Sequence, residues 1–356
     1  LKPIEKIAGR LLPFFRDYGD EMKGYAKALN ITDGDVVSIN LIYQLERLGL
    51  ACDSWNNTGP SKTCDLPRNN DDEDEPDFSP FQPYLDSDED EYARETEDID
   101  APGPCTSFVA SDPDGKVWAG RNLDWNFPDS LKEFIINVDY QRSGKTVFTA
   151  TTAVGFVGIL HAVKPGMFAY SMDARRKGGR IGANLLEMLL ERGDRTPEQN
   201  ARYVFETENS YESAVAALSA TPIVNPVYYI MAGAEKPQGC VLARDRLGVV
   251  HKYDMAEEIA SPGGNVQKDF WVGITNYDLE HRPLPADDRA TAMTDNLNAL
   301  EGKPFNDEQV WDILKTWPTF NGHTDITAVV DVKSGKFDVI VWFDHANWPE
   351  DDEQKN

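Results

Sequence analysis

A single cysteine opens a strand-like run, Cys105-Thr-Ser-Phe-Val-Ala-Ser111, directly after the turn-forming pair Gly103-Pro104. A thiol placed there sits where the backbone can bend tightly and be exposed. Cutting the 104–105 peptide bond would give Cys105 a free α-amine, whose ordinary pKa near ~8 suits it to take the thiol proton. Nucleophile and base would then share one residue, and no histidine is required. The same sulfur could make the cut by attacking the Pro104 carbonyl, giving a thioester that water opens. The competing reading is a buried structural thiol, the common setting of an unpaired cysteine.

Fifteen residues on from Cys105 begins Gly120-Arg-Asn-Leu-Asp-Trp125. A β-turn at Asp112-Pro-Asp-Gly115 would fold the strand from Cys105 back on the strand ending here, bringing Arg121 and Asp124 close to Cys105. A guanidinium can hold a thiolate or a substrate oxygen, and a carboxylate can orient an ammonium. On residues alone, a surface Arg–Asp pair at a hairpin end is the alternative. Of the other cysteines, Cys52 and Cys64 flank a polar loop and either close it as a local bridge or stay unpaired. The five histidines (His161, His251, His281, His323 and His345) are scattered, with no metal-ligand spacing near the cysteines. Neither a metal nor a cofactor is expected.

These residues need strands to hold them. Short runs rich in β-branched and aromatic residues occupy 105–111, 116–119, 133–140 and 145–152, punctuated by Asp-Pro-Asp-Gly and Ser-Gly turns. Helical patterns follow at about 180–192, 196–207 and 210–219. Strands return at 226–233, 239–245 and 269–275, then helices at about 287–300 and 306–316. A hairpin, 326–332 with 336–343, closes the pattern. Strands in consecutive hairpins and helices in separate blocks indicate an α+β class with antiparallel sheets covered by helices, not a doubly wound parallel sheet.

Residues 1–50 read as a helical unit. Thr32 or Asp33 can cap a helix over 34–50, and Leu11, Leu12, Phe14 and Phe15 form an apolar cluster read as core packing or, alternatively, a lip that touches lipid. Residues 51–104 read as a linker. Within it, positions 71–100 hold fifteen Asp or Glu against one basic residue, Arg94, and so carry −14 of the formal net charge of −26. A block this acidic cannot support a core. No basic stripe offers a nucleic-acid surface, and no apolar run is long enough for a membrane span. The sequons Asn30-Ile-Thr and Asn56-Asn-Thr favour a secretory route.

The pattern Cys105-Thr-Ser-Phe-Val-Ala … Gly120-Arg-Asn-Leu-Asp resembles the start of the mature β-subunit in the acid ceramidase and N-acylethanolamine acid amidase family of N-terminal-nucleophile hydrolases. The likeness continues in Val154-Gly-Phe-Val-Gly-Ile-Leu, Lys164-Pro-Gly-Met-Phe, Gly239-Cys-Val-Leu-Ala-Arg-Asp-Arg, Thr275-Asn-Tyr-Asp and Asp287-Asp-Arg. It implies a four-layer α/β/β/α sandwich, a helical α-subunit over 1–50, a catalytic β-subunit over 105–356, both from one precursor, and a lysosomal or secreted location. It further implies Cys105 as nucleophile with its α-amine as base, and Arg121 on nucleophile and substrate. Asp124 would hold the α-amine, Asn276 would donate to the oxyanion, Arg289 would support the site and its self-cleavage, and Cys240 would be a buried structural thiol. The implied substrate is a long-chain fatty-acid amide, an N-acylethanolamine or a ceramide, with peripheral membrane contact through an acyl channel lined by Leu11–Phe15 and Ile181–Leu190. The sequence departs from the pattern at Ala174, where the family usually has Glu, and at Ala290-Thr-Ala292, where it tends to Arg-Thr-Pro. Two other readings fit the cysteine: an amidase like choloylglycine hydrolase or penicillin V acylase, and a silent lipid-binding homologue.

Overall fold

All seven residues of β1 (Cys105–Ser111) are buried, so both faces of this strand are covered. Phe108 and Ala110 turn to one side, against Met293, Leu297 and Ile313; Val109 turns to the other, against Val163, Ile230 and Val241. A strand buried on both faces is the centre of a stack of layers, and the period-two alternation assigns each side chain to one neighbouring layer.

The computed structural model describes residues 9, 11–15, 17–42, 105–125, 127, 129–175, 195–262, 264–280 and 287–343. The chain divides into two compact units, Leu1–Ile99 with Gly179–Asp194, and Asp100–Gly178 with Arg195–Asn356. In the first, α1 (Gly19–Leu29) and α2 (Asp33–Asn40) are joined through Asn30 in the left-handed region (φ 55°). Thr32 caps α2 in a capping box with Asp35. Leu12 and Phe15 are buried, as the packing alternative for that cluster requires. The expected helix over 34–50 is described as far as Asn40, and 43–50, the linker and the 180–192 helix lie outside the described residues.

In the second unit β1 lies in a five-stranded antiparallel sheet with β2 (Val117–Asp124), β12 (Trp271–Ile274), β13 (Thr324–Asp331) and β14 (Lys336–Val341), in the order β12-β1-β2-β13-β14. The second sheet runs β3 (Ile135–Arg142), β4 (Lys145–Ala153), β5 (His161–Lys164), β6 (Phe168–Ala174), β7 (Val227–Gly233), β8 (Gly239–Arg244) and β9 (Val249–Asp254), each paired antiparallel with the next; β10 (Ile259–Ala260) and β11 (Val266–Gln267) form a separate two-stranded ribbon. The sheets face each other across Val109, Val117, Val163, Ala169, Ile230, Val241, Val272 and Val330. On the outer face of the seven-stranded sheet, α4 (Pro197–Thr207) and α5 (Tyr211–Ala220) pack Ala201, Val204, Phe205, Ala214 and Leu218 against Phe148, Phe168, Tyr170 and Tyr229. Cys240 is buried in this core. Outside the five-stranded sheet, α6 (Arg289–Asn298) and α7 (Asp307–Leu314) pack on Phe108, Trp118 and Trp271. A short helix, α3 (Asp129–Lys132), links β2 to β3. The result is the four-layer α/β/β/α sandwich with antiparallel sheets. Among the described residues no helix is long and apolar enough to cross a membrane.

The sequence pattern missed β5, β6, β9 and the short pair β10 and β11. The first two are buried on both faces over most of their length, which erases the alternation that marks a half-exposed strand. The close fit of β12 on β1 gives a test. A Cβ on Gly273 would lie 2.9 Å from the Ser107 carbonyl oxygen and 3.0 Å from the Met293 sulfur. Gly273→Ala is therefore expected to lower stability by about 1–3 kcal/mol through overpacking, read as a lower denaturant midpoint.

Candidate active site

β1 and β2 pair with Cys105 opposite Leu123 and Ser107 opposite Arg121. Cys105, Ser107 and Arg121 share the face turned to the second sheet, where β5 and β6 present His161 and Asp173. Arg121 Nη2 donates to Cys105 Sγ at 3.6 Å. Its Nε donates to Asp173 Oδ1 (3.2 Å), and Nη1 reaches the Leu160 carbonyl (3.0 Å) and His161 Nε2 (3.1 Å). Ser107 Oγ donates to the same Asp173 oxygen at 2.7 Å.

The opposite face of the hairpin end meets α6. Arg289, the first residue of that helix and 2% exposed, donates to the carbonyl oxygens of Cys105 and Thr275, to Asn276 Oδ1 and to both oxygens of Asp287. Asp124 is fully buried on this side, 4.0 Å from Arg289 and accepting from Asn321 Nδ2 at 3.1 Å; among the described residues its Oδ1 has no hydrogen-bond partner. Asn276 follows β12 with φ of 70°, a conformation that costs a non-glycine residue about 1 kcal/mol or more and persists only where surroundings enforce it. Its Oδ1 accepts from the Cys105 N–H at 2.5 Å and its Nδ2 donates to the Ala174 carbonyl at 2.8 Å. Behind this loop, Arg175 grips Asp278 with two parallel bonds, 2.9 and 2.7 Å, and Tyr228 Oη donates to the same carboxylate.

Burial dominates the electrostatics. It pushes the Cys105 thiol up to about 11, with the Arg121 charge pulling the other way. A thiol held there is neutral at any working pH, so a base must take its proton during attack. Burial likewise raises the carboxyls of Asp124 to about 7, against the pull of Arg289, of Asp173 to about 6, against Arg121, and of Asp325 to about 6. All three lie above the ordinary aspartate value, so between about pH 4 and pH 7 the folded chain keeps protons that the unfolded chain has released. Stability is then greatest at acid pH and declines as pH rises through this window. We expect the thermal midpoint to be about 5 °C or more higher at pH 5 than at pH 7, measured by calorimetry in matched ionic strength.

Among the described residues no group of three His, Cys, Asp or Glu side chains is placed to hold a metal ion. The chemistry at hand is a buried thiol, a strand-end amide nitrogen, two arginines and two carboxyls.

Comparison with known proteins fits this chemistry. Residues 105–254 match the linear amide C–N hydrolases of the choloylglycine hydrolase family, and the match opens on Cys105 itself. Acid ceramidase from Homo sapiens is 29% identical over 353 residues, covering 95% of this chain and 73% of that protein. Acid ceramidase from Bos taurus is 32% identical over 253 residues, 67% of this chain and 62% of that one. Among solved structures, the N-acylethanolamine-hydrolyzing acid amidase ortholog of Caenorhabditis elegans superposes with a TM-score of 0.56 at 26% identity, covering 67% of this chain and all of the other. The chain is similar to acid ceramidases and to an N-acylethanolamine acid amidase. It is a hydrolase of linear amides of the N-terminal-nucleophile type.

Cys105, Arg121, Asp124, Asn276 and Arg289 converge at one end of the five-stranded sheet. Two details differ from the expected picture. Asn276 turns its oxygen, not its N–H groups, toward Cys105, and one N–H is held by the Ala174 carbonyl. That amide orientation follows from Arg289 and the Cys105 N–H, three donors that demand an acceptor. Asp124 faces α6 and not the Arg121 side. Asp173 and His161 escaped the sequence reading, because β5 and β6 themselves escaped it. The segment Ile181–Leu190, expected to line an acyl channel, lies outside the described residues.

Proposed function

We propose that this chain hydrolyses the amide bond of N-acylethanolamines or related long-chain fatty-acid amides, with Cys105 as the nucleophile, after bond 104–105 has cut itself. The observation that carries the reading is the double hold on Cys105: its sulfur on Arg121 Nη2 and its nitrogen on Asn276 Oδ1. In the uncut chain the sulfur attacks the Pro104 carbonyl carbon, the C–N bond breaks with the proton passing to nitrogen, and water opens the resulting thioester. Cys105 then carries an α-amine where the Asn276 oxygen already accepts an N–H. Asp124, with one oxygen unpartnered among the described residues, accepts an N–H of that α-amine, and it can do so as the neutral carboxyl it is at acid pH.

In the amide reaction the α-amine takes the thiol proton, the sulfur bonds to the acyl carbon, and the amine leaves with that proton; water then cleaves the acyl-thioester, releasing the fatty acid and returning the thiol. Arg121 lies against the thiolate as it forms. Asn276 Nδ2 carries two N–H groups; one is held by the Ala174 carbonyl and the second would donate to the oxyanion, a donor typically worth about 10²–10³ in rate. Arg289 fixes the strand end by holding the Cys105 carbonyl and the Asn276 oxygen together. The units 1–50 and 105–356 are then the α- and β-subunits of one precursor, with 51–104 as the expendable arm, in a lysosomal or secreted protein that contacts lipid at the membrane surface. The raised carboxyls and their acid-side stability suit such a compartment.

Ceramide is the second reading, favoured by the 95% coverage against acid ceramidases. Incubation at pH 4.5–5 followed by mass spectrometry should yield a fragment beginning at Cys105; bond 104–105 found whole in active protein sinks the mechanism. Side-by-side turnover of palmitoyl ethanolamide and a ceramide decides the head group.

A further inference from the structure

We propose that His161 and Asp173 are positioning residues that hold the Arg121 guanidinium against the Cys105 sulfur. The proposal deepens the reading of Cys105 as nucleophile and rests on it. Arginine carries five N–H groups in one plane and accepts nothing. One goes to Asp173, one to the Leu160 carbonyl, one to His161 Nε2 and one to the sulfur, so the plane is fixed from three sides and its fourth contact is aimed at Cys105.

Because arginine can only donate, His161 Nε2 must accept. The ring is therefore uncharged with its proton on Nδ1. Burial next to the guanidinium holds its pKa well below the ordinary histidine value, so the imidazole remains an acceptor at acid pH. His161 is 1% exposed and Asp173 fully buried, and among the described residues neither Nδ1 of the first nor Oδ2 of the second has a hydrogen-bond partner. Burying an imidazole with an unpaired N–H carries a desolvation cost that an apolar residue would avoid. Among the described residues the polar contact that imidazole makes is with Arg121. The titratable or charged groups around the contact are Cys105, Asp124, Tyr170, Asp173, Glu198 and Arg289.

The test is alkylation of Cys105 by iodoacetamide in the full chain, followed across pH by mass spectrometry of the Cys105 peptide, alongside kcat/KM on palmitoyl ethanolamide. His161→Leu removes the acceptor and should move the alkylation midpoint up by about one pH unit, with about ten-fold lower kcat/KM. His161→Gln keeps an oxygen acceptor and should stay within about three-fold of the parent. Asp173→Asn keeps an acceptor for Nε but removes a negative charge facing the thiol, so the midpoint should move down. Midpoints unmoved in His161→Leu, or a loss in His161→Gln equal to that in His161→Leu, would overturn the proposal, even with thermal stability lowered. If His161→Leu does not fold, an unmoved midpoint in Asp173→Asn overturns it alone. Alkylation reads the contact whether or not amides are hydrolysed. Absent turnover in the unsubstituted chain therefore counts against the proposed function, and an unmoved midpoint counts against the positioning.

Discussion

Substituting Cys105→Ala is expected to leave bond 104–105 intact in every molecule and to lower amide turnover by at least about 10⁴. The sulfur is asked to do both reactions, and no neighbour can stand in for it. Ser107 Oγ, the nearest hydroxyl on the same face of β1, is already committed to Asp173, and the Thr106 hydroxyl lies on the Arg289 side. Neither has a titrating amine beside it. The variant should fold, because removing a small buried sulfur costs only about 1 kcal/mol of transfer and cavity energy. Intact mass after acid incubation and the rate on palmitoyl ethanolamide are the two readouts. A cut chain or undiminished turnover in Cys105→Ala would move the nucleophile elsewhere.

The hairpin that carries Cys105 and Arg121 was readable because its turn is chemically explicit. In Asp112-Pro-Asp-Gly115 the glycine takes φ of +83° and the Asp112 carboxylate accepts the Lys116 N–H. The helices α4 and α5 were readable from their caps, Thr196 with Pro197 at the first position and Ser210. β5 and β6 were not, since His161–Lys164 is four residues long and buried throughout, and a short apolar run of that kind has no distinguishing period. Pro165-Gly166, where the glycine takes φ of +69°, was the available turn signal. Missing that hairpin hid His161 and Asp173, whose only link to Cys105 is through space, across the gap between two sheets.

The face assignment of Asp124 was also hidden. Proximity in a hairpin says which residues meet, but the side each one takes depends on the register, here Cys105 opposite Leu123. Arg121 falls on the inter-sheet side, while Asp124 falls on the helix side with Arg289. The orientation of Asn276 is set by three donors from two residues, Cys105 on β1 and Arg289 on α6, neither adjacent to it in sequence. Residue types that could do the chemistry were therefore legible; which atom of each faces the sulfur was not.

Arg289→Met is expected to destabilise the fold by about 3–5 kcal/mol and to slow self-cleavage strongly. The guanidinium is buried, and removing it strands the Asp287 carboxylate, the carbonyls of Cys105 and Thr275, and the Asn276 oxygen in one step. It also takes away the cation 4.0 Å from Asp124, the strongest pull against the rise of that carboxyl to about 7. Without it the Asp124 value climbs further, so the decline of stability with pH, which in the parent flattens near pH 7, should continue between pH 7 and pH 8. Arg289→Lys restores the charge but not the planar fork, and one ammonium cannot reach two carbonyls, an amide oxygen and both Asp287 oxygens together. The lysine variant should therefore regain the flattening above pH 7 while its thermal midpoint stays about 5 °C or more below the parent. Charge and geometry are separated in that pair: equal recovery of both in Arg289→Lys would mean that Arg289 serves only as a counter-ion, and that the left-handed turn at Asn276 is held by something else.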